Sequence, residues 1–188
     1  MRLDTGNGLI DQAQFVASPN FDAREQQQDP DVIIVHCISL PPGDYADNTQ
    51  RVGEDCISRF FCNKLAADEH PFFAEIVHLQ VSSHFLIGRD GRLIQYVATH
   101  KRAWHAGDSV CLGRPKVNDF SLGIELEGLD TDPNGFSDAQ YGTLKQLIDA
   151  LRQAYPTIKK TNVFAHSDIA PGRKPDPGPY FDWGRVFN

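Results

Sequence analysis

Residues 163–179 read VFAHSDIAPGRKPDPGP, a short apolar run that ends at a histidine and is followed by a stiff loop. Proline fixes φ and removes a backbone donor, so a loop rich in proline and glycine has few conformations open to it. This stretch carries His166, Lys174 and Asp176. A histidine, a cation and a carboxylate on one rigid segment indicate half of a metal-assisted site, whose other groups must come from elsewhere.

The whole chain sets limits on the class of protein. Its 188 residues predict a single domain with a substantial core. The net charge of −7 argues against nonspecific binding to nucleic acid or anionic membranes, and no run approaches the ~20 apolar residues of a membrane helix. Nothing indicates an obligate protein partner.

Two features indicate a cytoplasmic protein. The first residues, MRLDTGNGLIDQ, lack the apolar core of a secretory signal. The four cysteines have no CxxC spacing, which favours reduced thiols, although four could also form two disulfide bridges: Cys37, Cys56, Cys62 and Cys111.

Strand signals recur along the chain. Asp31–Ile38 is a nearly continuous β-branched run, as expected for a strand buried on both faces. Ser83–Val97 has two apolar runs around an Asp-Gly turn and is predicted to be a hairpin. Asp119–Gly128 alternates, which places Glu125 on the face opposite its apolar residues. Asn162–His166 is predicted as a last short strand.

Helical signals lie between these strands. Glu54–Ala67 has apolar residues at helical spacing, and Ser137–Gln140 is a capping box that opens a helix reaching Tyr155. Pro71–Val81 fits either a helix or a strand. The chain is therefore predicted to have an α/β (α+β) fold, a single domain with a central mixed sheet flanked by helices.

Two polar segments complete this organisation. Residues 1–30 are predicted to form an extended arm on the surface, with the functional domain in residues 31–188. Gly43–Gly53 is a long polar loop of a kind that often covers a site.

Two of the seven histidines stand apart from the others. A lone histidine is more often a satisfied polar group than a ligand, but His36 and His166 each lie at the end of an apolar strand, beside a loop rich in proline or glycine. With Asp176 they provide two imidazoles and one carboxylate, the typical ligand set of a catalytic zinc with one position open for water. Zinc lowers the pKa of that water to ~7.

Glu125 and Lys174 have two interpretations. Glu125, between apolar neighbours on a strand, could take and return a proton, and Lys174 could neutralise the oxyanion that forms when an amide is attacked. Alternatively, the two residues form a structural ion pair. These residues alone leave both interpretations open.

Five strings resemble a known family: IVHCISLPPGDY, HLQVSSHFLIGRDGRLIQYV, RAWHAG, NDFSLGIELEG and HSDIAPGRKPDPGP. They closely resemble the zinc amidases that include the peptidoglycan recognition proteins, and within them the cytoplasmic 1,6-anhydro-N-acetylmuramyl-L-alanine amidases of Gram-negative bacteria. The similarity runs from about Leu9 to Val186. It implies zinc-dependent cleavage of the amide bond between anhydro-N-acetylmuramic acid and L-alanine in small-molecule muropeptides. Such cleavage would recycle peptidoglycan fragments and restrain β-lactamase induction.

The resemblance also assigns roles to individual positions. It implies that three residues bind Zn²⁺: His36, His166 and Asp176. Glu125 would be the acid/base residue, and Lys174 would stabilise the oxyanion. Trp104 of RAWHAG would line the substrate groove, although a tryptophan can equally be a core aromatic.

Three positions depart from the family pattern and bear on substrate contacts. Cys37 stands where asparagine is common, whereas Gln80 and Lys116 stand where arginine is common. Glutamine cannot replace the charge with which arginine binds a carboxylate. Cys37 could also be a fourth metal ligand, but adjacent strand residues point to opposite faces, which favours a buried thiol.

Five cations lie in the segments assigned to the site: Arg102, Arg114, Lys116, Arg173 and Lys174. They could provide the positive field that an acidic muropeptide needs in a protein of net charge −7, or they could belong to an ordinary solvated surface.

Two other functions are compatible with the same motifs. An exported amidase of this fold would act on intact peptidoglycan, and the lack of a signal segment argues against it. A non-catalytic peptidoglycan-binding module would keep the fold and lose the metal. The joint presence of all five proposed zinc and catalytic residues argues against that module.

Overall fold

A computed structural model describes residues 1–25, 28–45 and 52–187. Its strands are β1 (Leu3–Asp4), β2 (Leu9–Ile10), β3 (Gln14–Phe15), β4 (Phe21–Ala23), β5 (Val32–Ile38), β6 (Phe85–Ile87), β7 (Leu93–Gln95), β8 (Lys101–Ala103), β9 (Val110–Cys111), β10 (Arg114–Pro115), β11 (Ser121–Glu127) and β12 (Val163–Ala165). Its α-helices are α1 (Cys56–Phe61), α2 (Phe73–Ile76), α3 (Asp138–Ala154), α4 (His166–Ile169) and α5 (Gly184–Phe187). Within the described ranges, no helix combines the length and the apolar character needed to cross a membrane.

The main sheet has six strands in the order β12-β5-β11-β6-β7-β3. The first four are parallel to their neighbours, β7 runs antiparallel to β6, and β3 is parallel to β7. Because β5 is paired on both sides and covered on both faces, its apolar run is continuous rather than alternating. The predicted mixed sheet flanked by helices is confirmed.

The two faces of strand β11 have different surroundings. Leu122, Ile124 and Leu126 belong to the same hydrophobic cluster as Leu144 and Leu147 of α3. Side chains alternate along a strand, so the residues between them face away from α3. The predicted alternation is therefore present, although every residue of β11 is buried.

The helix predictions differ in accuracy. For α3 the capping box is confirmed: Ser137 Oγ accepts from the amide N–H of Gln140, and Gln140 Oε1 accepts from the amide N–H of Ser137. Helix α1 is shorter than Glu54–Ala67, because Asp55 caps it and the chain turns at Asn63, which has φ of 57°.

Three further local predictions concern the segment Pro71–Val81, the hairpin and the Gly43–Gly53 loop. Helix α2 lies within Pro71–Val81 and shows that part of this ambiguous segment is helical. The hairpin of β6 and β7 is confirmed, with Gly91 in the turn at φ of 85°. The Gly43–Gly53 loop contains residues 46–51, which lie outside the described ranges, so its covering role stays a prediction.

The N-terminal segment is joined to the domain by strand pairing. β3 adds an edge strand to the main sheet and β4 pairs with β8, whereas most residues of the described stretch 1–25 are exposed, so the surface arm of residues 1–30 stays a prediction. Leu3 and Ile10 lie in the core, and Arg24 is 4% exposed. Short polar strands escaped detection because they carry too few residues for a periodic signal. The functional boundary at residue 31 stays a prediction.

Arg24 connects this segment to the middle of the chain. Its guanidinium donates hydrogen bonds to the backbone carbonyls of Thr99, Asn118, Asp119 and Ser121, at 2.9–3.4 Å. Burial lowers its pKa to about 10. This buried side chain therefore satisfies carbonyls that have been withdrawn from water.

Replacing Arg24 by methionine is expected to destabilise the protein. Methionine fills part of the space but leaves four buried acceptors without their donor, so the free energy of unfolding should fall by about 3 kcal/mol. Urea denaturation of Arg24→Met measures this change, with exposed Arg2→Met as the control. Equal stability of the two variants would contradict the connecting role.

Candidate active site

Three neighbouring parallel strands deliver the central side chains of the site. His36 lies near the end of β5, His166 follows β12 directly, and Glu125 lies on β11 with its Cα paired to that of His36. All three side chains are buried, with exposures of 2–8%. The carboxyl ends of adjacent parallel strands meet at one edge of the sheet, which is where ligands bind in open α/β sheets.

Three potential metal ligands converge at this edge. His36 Nδ1 lies 2.9 Å from His166 Nδ1, and Asp176 Oδ2 lies 3.1 Å from the first and 3.0 Å from the second. Within the described residues, these three form the group of ligating side chains able to hold a metal ion. The site thus joins a histidine of β5 and the histidine that follows β12 to the aspartate of the proline-rich loop.

The donors of this triangle have the protonation state that a metal needs. His166 Nε2 lies 3.1 Å from the carbonyl oxygen of Ala106, which can only accept, so Nε2 carries the proton and Nδ1 keeps its lone pair. Burial lowers the pKa of His36 to about 4, so this imidazole is neutral at pH 7.

Glu125 Oε2 is buried and has no hydrogen-bond partner within the described structure. Burial raises the pKa of Glu125 well above its usual value, the negative charge of Asp176 adds to this effect, and Lys174 opposes it. An unpartnered buried carboxyl is costly, so it indicates a functional role rather than a structural ion pair.

The proline-rich loop is anchored on both sides of Lys174. The carbonyl oxygen of Asp176 accepts from Ser167 N at 3.0 Å, and Arg173 donates to the carbonyls of Ala106 and Asp108 at 2.7 and 3.0 Å. Lys174 is exposed at the rim. Anchoring on both sides keeps the loop's carboxylate and cation in place relative to the two histidines.

A cavity of about 350 Å³ opens over these groups. Its lining combines the metal donors, Glu125 and Lys174 with a larger set of apolar side chains. The apolar wall comes largely from α1, α2 and the segment after α2: Phe60, Phe61, Phe72, Ile76, Leu79 and Val81. A mostly apolar pocket with a few converging polar groups is the usual form of a small-molecule site.

Of the four residues predicted to contact substrate, two line this cavity and two do not. Trp104 and Cys37 line it. Gln80 is exposed and outside the cavity wall, although Leu79 and Val81 on either side belong to it. Lys116 is also outside, and its ammonium lies 3.6 Å from Glu25.

Cys37 lies beside a metal donor, but its thiol is poorly suited to bind the ion. It packs partly against the cluster that includes α3, and its Sγ lies 3.9 Å from the carbonyl oxygen of Pro177. Burial, followed by the negative charges of Glu125 and Asp176, raises the pKa of this thiol far above its usual value. Among the described residues, the ligand atoms that converge belong to His36, His166 and Asp176 and do not include the Cys37 thiol, so Cys37 is a weak candidate for a fourth ligand.

Most of the predicted basic cluster does not face the site. Arg102 forms ion pairs with Asp22 and Asp119, and Arg114 forms one with Asp31. Arg173 also has partners, because its guanidinium donates to the backbone carbonyls of Ala106 and Asp108 and so anchors the loop. Lys174 is the member of the cluster that lines the cavity. The arrangement therefore favours an ordinary surface for the cluster and a local role for Lys174.

Two features of the site escaped the sequence argument. The apolar wall comes from helices whose aromatic residues have the spacing of ordinary core positions. His105 lies in the cavity wall and its Nδ1 is 2.9 Å from His36 Nε2. Its place after Trp104 in a polar loop was the available signal, and it did not reveal the contact.

The donor set fits zinc. Tetrahedral zinc with bonds of 2.0–2.1 Å separates its ligand atoms by ~3.3 Å, a few tenths more than the 2.9–3.1 Å between these atoms. Two bare imidazole nitrogens facing each other repel, and a cation between them and the carboxylate removes that repulsion. His36, His166 and Asp176 would hold such an ion.

Comparison with known proteins agrees with this geometry. The sequence profile of the N-acetylmuramoyl-L-alanine amidase family matches residues 26–179. The 1,6-anhydro-N-acetylmuramyl-L-alanine amidase AmpD of Enterobacter cloacae is 49% identical over 179 residues, which cover 95% of this chain and 90% of that protein.

Solved structures of related proteins are also similar to this chain. The crystal structure of a selenomethionine derivative of AmpD has a TM-score of 0.90 at 46% identity and covers 99% of this chain and 97% of its own. AmpDh3 from Pseudomonas aeruginosa in complex with anhydromuramic pentapeptide has a TM-score of 0.61 at 27% identity, over 95% of this chain and 65% of its own. The chain belongs to the N-acetylmuramoyl-L-alanine amidase family.

Proposed function

We propose that this protein hydrolyses the amide bond between 1,6-anhydro-N-acetylmuramic acid and the L-alanine of muropeptides, with zinc held by His36, His166 and Asp176. The observation that carries the proposal is the buried Glu125 Oε2, which has no hydrogen-bond partner in the described part of the chain, beside three converging metal donors. AmpD relatives named for this bond, and a related structure in complex with an anhydromuramic pentapeptide, support the substrate class.

The groups that line the cavity have separate roles in the reaction. Bound zinc would polarise the scissile carbonyl and make water nucleophilic. Glu125 takes a proton from the attacking water as the new carbon–oxygen bond forms, and returns it to the alanine nitrogen as the carbon–nitrogen bond breaks. Lys174 places a positive charge at the rim, where it stabilises the oxyanion of the tetrahedral intermediate. The apolar wall limits access of bulk water to these charges.

Contacts with the rest of the substrate follow from the placement of the side chains. Cys37 and Trp104 contact it within the cavity, whereas Gln80 and Lys116 reach only parts that extend beyond the cavity wall. Residues 31–188 serve as the amidase domain, and the protein acts in the cytoplasm during peptidoglycan recycling. Cell fractionation that recovered it with the envelope would contradict this location.

Mass spectrometry of the products tests the activity. Anhydro-muropeptide incubated with the zinc-loaded protein should yield free anhydro-N-acetylmuramic acid sugar and a peptide that begins with alanine. A chelator should stop this release and added zinc should restore it. Binding without any release would indicate a non-catalytic module, and release from intact sacculi but not from anhydro-muropeptide would indicate a wall-directed amidase.

Lys174→Ala should lower kcat about 10²-fold, the scale of one oxyanion donor. The side chain is exposed, so stability should stay within about 0.5 kcal/mol of wild type. Steady-state kinetics measure the loss, and Lys174→Arg, which keeps the charge, should recover part of it. Exposed Lys159→Ala is the matched control. A similar kcat in the two alanine variants would remove the oxyanion role.

A further inference from the structure

His105 reaches the metal site through a ligand side chain. The rings of His105 and His36 lie edge to face, with an interplanar angle of 87° and a distance of 2.9 Å from His36 Nε2 to His105 Nδ1. On its other side, His105 Nε2 is 3.0 Å from Ser121 Oγ, which is 2.7 Å from the carbonyl oxygen of Val117. These four groups form one continuous row of hydrogen bonds.

The carbonyl at the end of this row determines where each proton lies. The carbonyl of Val117 only accepts, so the hydroxyl of Ser121 donates to it and its oxygen accepts from His105 Nε2–H. A neutral imidazole carries one N–H, so His105 Nδ1 is bare and accepts from His36 Nε2–H. His36 Nδ1 is then bare as well, and it is the atom that faces His166 and Asp176.

We propose that His105 is a positioning residue for the metal site, which accepts a hydrogen bond from His36 Nε2–H and thereby fixes the tautomer and ring orientation of that ligand. Outer partners of this kind orient ligating histidines and raise their basicity. The inference deepens the proposed zinc site and depends on it for the effect on metal affinity.

The two histidine ligands differ in how their outer partner is supplied. For His166 the acceptor is the backbone carbonyl of Ala106, which no substitution removes. For His36 the acceptor is a side chain, so its orientation depends on the identity of residue 105. A substitution of residue 105 can therefore disturb the orientation of His36.

The surroundings hold the His105 ring in place. Asn118 Oδ1 accepts from the amide N–H groups of His105 and Ala106, which sets the backbone of the loop. A Cβ at Gly123 would lie 2.6 Å from His105 Cγ, so the absence of a side chain there lets the ring lie against β11. A ring held by its backbone, by packing and by hydrogen bonds at both nitrogens is suited to orient its neighbour.

Two substitutions separate the hydrogen bond from the bulk of the ring. His105→Phe keeps a planar ring but removes the acceptor, whereas His105→Asn offers Oδ1 near the place of Nδ1. Competition with a chelating dye should show that the zinc Kd rises about 10–100-fold in the phenylalanine variant. It should return most of the way to the wild-type value in the asparagine variant. Exposed His78→Phe is the control and should leave the Kd unchanged.

Imidazole ¹⁵N chemical shifts in the metal-free protein give a second readout. His36 should be the Nε2–H tautomer in wild type and in His105→Asn, and should lose this preference in His105→Phe. Ser121→Ala, which leaves the ring in place, should weaken zinc binding in the same direction.

Several results would overturn the role of His105. They are a wild-type zinc Kd in His105→Phe, an asparagine variant as weak as the phenylalanine variant, and a His36 tautomer that no variant changes. If wild-type protein bound no zinc, the proposed metal would be wrong, and the tautomer measurement would still decide the role of His105.

Discussion

Asp176→Ala is expected to lose its bound zinc and at least about 10³-fold in kcat/KM, more than the 10–100-fold typical of an outer-shell change. Asp176 supplies the carboxylate of a three-donor set, and two neutral imidazoles alone hold zinc weakly. The fold should survive, because the loop is anchored by the carbonyl of Asp176, which accepts from Ser167 N, and not by its carboxylate.

Metal analysis after dialysis, together with circular dichroism, tests this expectation. Wild type should retain about one zinc per chain, and Asp176→Ala should retain only background metal with an unchanged spectrum. Exposed Asp108→Ala removes a carboxylate outside the donor triangle and should behave as wild type. Stoichiometric zinc at wild-type affinity in Asp176→Ala would show that Asp176 is not a ligand.

Glu125→Gln should keep zinc and lose about 10²–10⁴-fold in kcat, the range of general acid–base catalysis. Glutamine has the same shape but cannot accept and return the proton of water. Glu127→Gln is a matched control on the same face of β11, since Glu127 Oε2 accepts from Arg89 N and a glutamine oxygen can do the same. Near wild-type turnover in Glu125→Gln, measured with full zinc occupancy, would exclude the acid/base role.

Substitution of Glu125 should also raise stability. The pKa of Glu125 is higher in the folded protein than in the unfolded chain, chiefly because of burial, so folding favours the protonated form. Wild type then loses stability as the pH rises from the unfolded value of 4.5 towards the raised folded value. In metal-free protein, the melting temperature of Glu125→Gln should exceed that of wild type at pH 8, and the excess should shrink towards pH 4.5. An excess that does not change with pH would show that ionisation is not its cause.

The local elements were predictable where their signals are strong. The capping box at Ser137 and the Asp-Gly turn are complete within a few residues, so both could be located without tertiary information. The bounds of α1 were not, since Asn63 turns the chain in a left-handed conformation while the apolar spacing continues beyond it. The strands β3 and β4 of the N-terminal segment could not be located, because they form through pairing with β7 and β8, which lie far along the chain.

The sequence by itself determined the chemistry that this protein can offer. Two histidines at the ends of apolar strands and an aspartate in a proline-stiffened loop already predict a metal site, because ligand type and rigid placement are local properties. Glu125 could also be identified from the sequence, since alternation along β11 separates it from the apolar face.

Only the tertiary structure decided how these residues act together. The parallel pairing of β12, β5 and β11 brings His166, His36 and Glu125 to one edge, where Glu125 Oε2 has no hydrogen-bond partner among the described residues. It also joins His105 to His36, and it directs most of the basic residues to carboxylates and carbonyls outside the cavity. Hydrogen bonds and burial depend on distances between segments far apart in the chain, and those distances are set by the packing of the whole sheet.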